Sequence, residues 1–251
     1  MNNILFALTL STMAGLSTLI GAVFIFIKIS KRNLNKFISF CLSFSIAVMI
    51  SISILDLIPT SFFEITNVYG VGKSILVLIF SFFISYIIIT YLSNLIDKET
   101  KSVDLYKLGI LNMIVLVLHN LPEGIATFLS SYHSTSLGIK LSLAIMLHNI
   151  PEGISIAVPI YYATNEKKKA IKATLISGLS EPLGAILAFL FLKRFVSDVM
   201  ISIVLIVVAG LMITLSIQEM FPKVVKYNEK KYLYLGLIIG TILVIINVLI
   251  S

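Results

Sequence analysis

Eight apolar runs, each about as long as a helix needs to cross a bilayer, account for nearly all of this chain. They cover approximately residues 4–28, 37–60, 72–96, 108–131, 138–162, 171–192, 198–221 and 232–250. A hydrocarbon core about 30 Å thick requires roughly 20 apolar residues per helix. Strands of an outer-membrane barrel would alternate apolar and polar residues in pieces of about ten; these runs are continuous. Of the 251 residues, 58% are hydrophobic and 12% charged, too little polar surface for a soluble domain of this length. The longest polar stretch, residues 97–107, is too short to fold by itself. The expectation is an all-α polytopic membrane protein with residues 1–251 as one transmembrane domain. No Lys or Arg precedes the first run, which is about twice as long as a signal-peptide core, so it reads as a retained span. Cys41 stands alone, which excludes an internal disulfide and any multi-cysteine metal site.

The basic residues sort by connection. Fifteen of the 19 lie in the odd-numbered connections: Lys28, Lys31, Arg32 and Lys36 in the first, Lys98, Lys101 and Lys107 in the third, Lys167, Lys168, Lys169 and Lys172 in the fifth, and Lys223, Lys226, Lys230 and Lys231 in the seventh. Only Lys73, Lys140, Lys193 and Arg194 fall elsewhere. The positive-inside rule puts the odd-numbered connections in the cytoplasm and both termini outside the cell's plasma (inner) membrane. The net charge of +7 is then loop charge that sets topology, and it calls for no nucleic acid.

Seven of the 12 acidic residues, Glu64, Asp97, Glu99, Asp104, Glu166, Asp198 and Glu229, lie in or beside connections. The other five, Asp56, Glu123, Glu152, Glu181 and Glu219, lie within the runs, as do His119 and His148. A charge at the bilayer centre costs at least about 2.5–3.5 kcal/mol, so such groups normally face the bundle interior and serve a function. The third histidine, His133, reads as a solvated residue of the outer loop between runs four and five.

Residues 119–124 read HNLPEG and residues 148–153 read HNIPEG. In each copy His and Glu are four apart and share one helical face. The copies begin at matching depth in runs four and five, and Glu181 lies mid-way along run six. Pro122 and Pro151 each remove a backbone donor and should kink the helix, while Gly124 and Gly153 permit close helix approach. A pair of interrupted helices at mid-membrane is where transporters place their substrates. Two imidazoles and two carboxylates, from His119, Glu123, His148 and Glu152, suit Zn²⁺ and would also accept Fe²⁺ or Mn²⁺. Asn120 and Asn149 stand next to the histidines and could line an adjacent pocket with Glu152 and Glu181. A second ion held there would be bound more weakly, mostly by oxygen.

A quieter repeat joins MISISILDLIP (49–59) to MITLSIQEMFP (212–222), 163 residues apart. The first copy ends run two and the second ends run seven, which cross in opposite directions, as an inverted-repeat transporter would have it. Asp56 falls near the outer face and Glu219 near the inner one, as candidate entrance and exit carboxylates. Met49 and Met212 read as core packing rather than soft ligands.

With the paired hexapeptides, SGLSEPLGA (177–185), the two proline-ended motifs and eight spans, the chain resembles the ZIP family (Zrt/Irt-like proteins) of divalent-metal transporters. The likeness is to its bacterial zinc-uptake and GufA-like branch and covers essentially the whole sequence. It implies a 3+2+3 arrangement, helices 1–3 and 6–8 being inverted repeats around helices 4 and 5. It implies a binuclear centre, one site matching His119, Glu123, His148 and Glu152, the other Asn120, Asn149, Glu152 and Glu181, with Glu152 bridging. The transported substrate would be Zn²⁺, with Fe²⁺, Mn²⁺ or Cd²⁺ as further candidates, carried into the cytoplasm by an elevator-like or rocking motion with no organic cofactor. Glu219 matches an acidic residue on the family's inner release route. The partners are divalent ions and the lipid bilayer, and a homodimer is compatible with the sequence. Three departures stand out: Asn149 is Asp in some relatives, Gln218 is often His, and the connection 97–107 lacks the histidines common there. An intramembrane metallohydrolase would want an open metal position and a His-Glu-x-x-His pattern, which is absent. A metal exporter is the other alternative, since direction is not written in side chains.

Overall fold

The computed structural model describes residues 2–99, 104–192 and 197–250. Lys101, Lys193 and Arg194 of the charge sorting lie outside the described residues, as does the side chain of His133. Among the described residues, eight helices are long and apolar enough to cross a membrane. They are α1 (Asn3–Phe26), α2 (Lys31–Tyr69), α3 (Val71–Ile96), α4 (Asp104–Tyr132), α5 (Thr135–Thr164), α6 (Lys167–Phe191), α7 (Val199–Lys226) and α8 (Lys230–Leu249). Helix is the form these runs must take in lipid, because it pairs every backbone donor and acceptor within one segment.

The turns are short, and their chemistry is visible in the sequence. Gly70, at φ 80°, is the one residue between α2 and α3. Asn165 (φ 57°) ends α5, and Asn228 (φ 53°) lies between α7 and α8. All three have positive φ: Asn165 is left-handed helical, a conformation asparagine tolerates, while Gly70, at ψ 161°, takes one open essentially to glycine. The hydroxyls of Ser134 and Ser197 cap α5 and α7 by accepting from Leu137 N (3.4 Å) and Met200 N (3.3 Å).

Two boundaries differ from expectation. The second run was expected to stop near Pro59, but α2 continues to Tyr69, which puts Glu64 on a helix rather than beside a loop. Residues Ser53–Leu57 widen into a π-helical turn just before the proline. The extra residue per turn takes up the missing N–H and the ring clash that would otherwise end the helix. The same solution appears before Pro222, where Ser216–Met220 is π-helical and α7 runs on to Lys226. A second correction concerns Pro122 and Pro151: both sit inside helices that continue through them, so α4 and α5 are not interrupted.

α1, α4, α5 and α6 pack on one another as a four-helix bundle. Around it, α2 lies along α8 and touches α5, while α7 lies along α3 and touches α4. The bundle interior is built from small residues, Ala22, Ala157, Ala170 and Ala173 among them, together with Leu116 and Ile156. The larger cluster of Leu42, Met49, Ile52, Leu111, Met212 and Leu215 joins the outer helices to it. Gly15 and Gly178 sit so close that a Cβ on either would strike the other's carbonyl oxygen.

Many of these contacts occur twice. A Cβ on Gly21 would meet Ile150 O and Ile154 N; one on Gly184 would meet Leu121 O and Ile125 N. Ser53 Oγ lies 3.9 Å from Met212 Sδ, and Ser216 Oγ lies 3.9 Å from Met49 Sδ. Asn149 Nδ2 donates to Ala14 O, and Asn120 Nδ2 donates to Ser177 O. In every pair the residues of α1 and α2 correspond to those of α6 and α7 at an offset of 163, and those of α4 to α5 at 29.

The four basic connections share one end of the molecule. Lys167 Nζ stands 4.5 Å from the Phe26 ring, Lys36 Nζ 5.8 Å from the Tyr232 ring, and Lys226 Nζ 3.4 Å from Asp104 Oδ2. These contacts tie the fifth connection to the first, the first to the seventh, and the seventh to the third.

Candidate metal centre

All seven residues singled out from the sequence are buried in the four-helix bundle, none more than 5% exposed. α4 supplies His119, Asn120 and Glu123, α5 supplies His148, Asn149 and Glu152, and α6 supplies Glu181. The His-to-Glu spacing of four turns each pair onto one face, and the two faces meet. Glu123 Oε1 lies 3.2 Å from His119 Nε2 and 3.1 Å from His148 Nε2, so one carboxylate touches both imidazoles. Glu152 Oε1 lies 3.3 Å from His119 Nε2. The rings themselves are 6.1 Å apart, centroid to centroid. One ligand atom each from His119, His148 and Glu152 falls within 4.8 Å of the others, a triangle that could hold a metal ion.

Glu181 faces the other side of the repeated phrase. Its Oε2 accepts from Asn149 Nδ2 at 2.9 Å. Asn149 Nδ2 also donates to Ala14 O at 2.9 Å, and Asn120 Nδ2 to Ser177 O at 3.2 Å. With their amide groups spent on these acceptors, both asparagines present their oxygens to the interior.

Those oxygens are unpaired. His119 Nδ1 and Glu152 Oε2 have no partner, and the 3.3 Å approach of His119 Nε2 to Glu152 Oε1 is an ion-pair contact without hydrogen-bond geometry. Asn120 Oδ1, Asn149 Oδ1, Glu123 Oε2, Glu181 Oε1 and His148 Nδ1 also have no partner. An unmet buried polar group costs about 1–3 kcal/mol, and proteins rarely leave even a few. So many acceptors gathered at one depth are chemically complementary to a cation.

Glycine sets the spacing of the walls. A Cβ on Gly124 would strike Glu181 O, and one on Gly153 would strike Thr18 O, so α4 seats on α6 and α5 on α1. Ser45 Oγ of α2 donates to Pro151 O at 2.6 Å. Sequence reasoning gave α1 no part in the site, yet Ala14 O holds Asn149 and Ser11 Oγ donates to Glu181 O at 3.2 Å. The signal was present in STMAGLSTLIG, where Ser11, Ala14, Gly15, Thr18 and Gly21 form a small-residue stripe at helical spacing.

Asp56 and Glu219 each sit on a π-helical turn. Asp56 is exposed and accepts from the Thr60 hydroxyl at 3.4 Å. Glu219 is half-buried, accepting from Ser93 Oγ at 2.6 Å and pairing with Lys223 Nζ at 3.1 Å.

Residues 94–247 match the family described as ZIP Zinc transporter. The chain is 39% identical to the protein named zinc transporter ZupT of Oceanobacillus iheyensis, over 99% of each chain. It is 34% identical to that of Clostridium perfringens, over 99% of this chain and 97% of the relative. With that of Lysinibacillus sphaericus the identity is 38%, over 95% and 94% respectively. End-to-end likeness at this level, with the paired hexapeptides meeting in one buried cluster, leads to one conclusion: the chain belongs to the ZIP zinc transporter family.

Proposed function

We propose that the protein takes up divalent metal cations, zinc foremost, across the plasma membrane into the cytoplasm. The observation that carries this reading is the cluster of unpartnered nitrogen and oxygen atoms on His119, Asn120, Glu123, His148, Asn149, Glu152 and Glu181, buried between α4, α5 and α6. His119, Glu123, His148 and Glu152 form the first site, whose mixed N/O donors suit Zn²⁺ and tolerate Fe²⁺, Mn²⁺ or Cd²⁺. Asn120, Asn149, Glu152 and Glu181 form a second, all-oxygen site, with Glu152 shared. The relatives named as zinc transporters support zinc as the cargo. Membership of a transporter family sets aside the metallohydrolase reading.

Alternating exposure of the site would follow from an internal two-fold that exchanges α1–α3 with α6–α8 and α4 with α5. The contacts recurring at offsets of 163 and 29 support that relation, and so do the two π-helical turns at equivalent positions. The gathering of basic connections at one end supports a cytoplasmic face there and extracytoplasmic termini.

The test is uptake of radioactive zinc into cells or proteoliposomes. Glu152→Ala, which removes the carboxylate common to both sites, should abolish uptake at normal expression. Near-normal uptake by a well-expressed Glu152→Ala protein would sink the proposal.

A further inference from the structure

The repeat that relates residues 49–59 to 212–222 extends one step further. Asp56 corresponds to Glu219, and the residue four places on, Thr60, corresponds to Lys223. Both pairs are in contact, yet they are chemically opposite. Asp56 is exposed and receives one long hydroxyl bond, at 3.4 Å. Glu219 is enclosed: Ser93 Oγ binds one carboxylate oxygen at 2.6 Å and Lys223 Nζ the other at 3.1 Å. The side chains of Lys223 and Glu219 are only 12% and 15% exposed, so solvent and salt screen this pair less than a surface bridge.

The surroundings extend the same theme. Lys223 lines a cavity of about 210 Å³ with Asp104, Leu105, Lys226 and Tyr227 at the basic end of the molecule. Asp104 is paired with Lys226 at 3.4 Å. Burial, with Asp104 beside it, pushes the Tyr227 phenol up to about 12, so it stays neutral. Asp104 and Glu219 thus each have a lysine on them, whereas Asp56 has a hydroxyl.

We propose that Lys223 is a tethered cation that competes with the transported ion for Glu219, preventing the basic mouth from retaining it. This rests on the uptake function proposed above. A divalent ion that leaves the central site and reaches Glu219 must displace an ammonium group already seated there. The ammonium returns by its own tether, at an effective concentration no free ion matches. Glu219 can then pass the ion on but not hold it. At the other end Asp56, without such a competitor, is free to attract one. Lys223 is a positioning residue for release and not a ligand.

The experiment uses the full-length protein. Zinc bound per chain is counted by elemental analysis after equilibrium dialysis, and zinc turnover is measured in proteoliposomes. Lys223→Met should bind one more zinc ion than the unaltered protein, and its kcat should fall by about tenfold, with KM falling alongside, as expected for a product-side trap. Glu219→Gln combined with Lys223→Met should lose the extra ion, and Lys223→Arg should keep the original count. If Lys223→Met does not accumulate, Lys223→Gln carries the same expectation. A merely structural ion pair would leave the count unchanged in every folded variant, and that result overturns the proposal. Absence of zinc uptake by the unaltered protein would instead sink the uptake reading, and the zinc count would still judge Lys223.

Discussion

The asparagines decide how the two halves of the centre differ. Asn149 donates to both Ala14 O and Glu181 Oε2 at 2.9 Å, which lets Glu181 remain buried without a cation. An aspartate there would lose both bonds and set two carboxylates against each other. Asn149→Asp should therefore destabilise the metal-free protein by about 1–3 kcal/mol for each acceptor left unmet. Added zinc should then raise its Tm more than it raises that of the unaltered protein, because a cation would now relieve repulsion as well as fill the site. Thermal unfolding in detergent with and without zinc measures both effects; an unchanged zinc-induced shift would contradict the second site.

At the level of helices, glycine and the π-turn do the positioning. Gly124 lies against the backbone carbonyl of Glu181, so an added methyl must push α4 from α6 at the depth of the ligands. Such overpacking costs about 1–3 kcal/mol, and misplaced ligands cost affinity besides. Gly124→Ala should fold less stably and take up zinc much more slowly. Gly72→Ala, on α3 with nothing within 4 Å of its new Cβ, should behave like the unaltered protein in the same assay. The π-turns before Pro59 and Pro222 belong to this scale too. They let α2 and α7 run past their prolines and carry Asp56 and Glu219 on the widened turns.

For the whole molecule, orientation is the property to test. Lys167, Lys36 and Lys226 each reach across to another basic connection, so four of the loops share one end. Cys41 is buried and is the sequence's one cysteine, so it adds little background to thiol labelling. In intact cells, Lys73→Cys should react with a membrane-impermeant maleimide, whereas Lys168→Cys should react only after the membrane is opened. The reverse pattern would invert the topology and with it the entrance and exit assigned to Asp56 and Glu219.

Much of this was legible in one dimension. Eight apolar runs require eight spanning helices because lipid offers the backbone no other partner. The repeat of His-Asn-x-Pro-Glu-Gly at 29 residues put four candidate ligands at matched depth, since helical rise converts sequence position to height. Height is all it converts. That Glu123 touches both histidines, that the amides of Asn120 and Asn149 are spent on backbone carbonyls, and that α1 serves as a wall depend on how helices face one another. Periodicity leaves that open when every side of a helix is apolar. The extension of α2 past Pro59 also lay beyond the sequence, because a proline signals a stop unless the turn before it widens. Lys223 read only as loop charge because the seventh run was expected to end near Pro222; with α7 continuing past that proline, the spacing of four sets Lys223 on Glu219, and packing between helices adds Ser93. The sequence thus determined the number of helices, the positions of the polar residues along them and the motifs that recur at offsets of 29 and 163. The tertiary structure decided which polar atoms meet and which are left over, because contact between helices depends on rotation and approach that a linear pattern does not record.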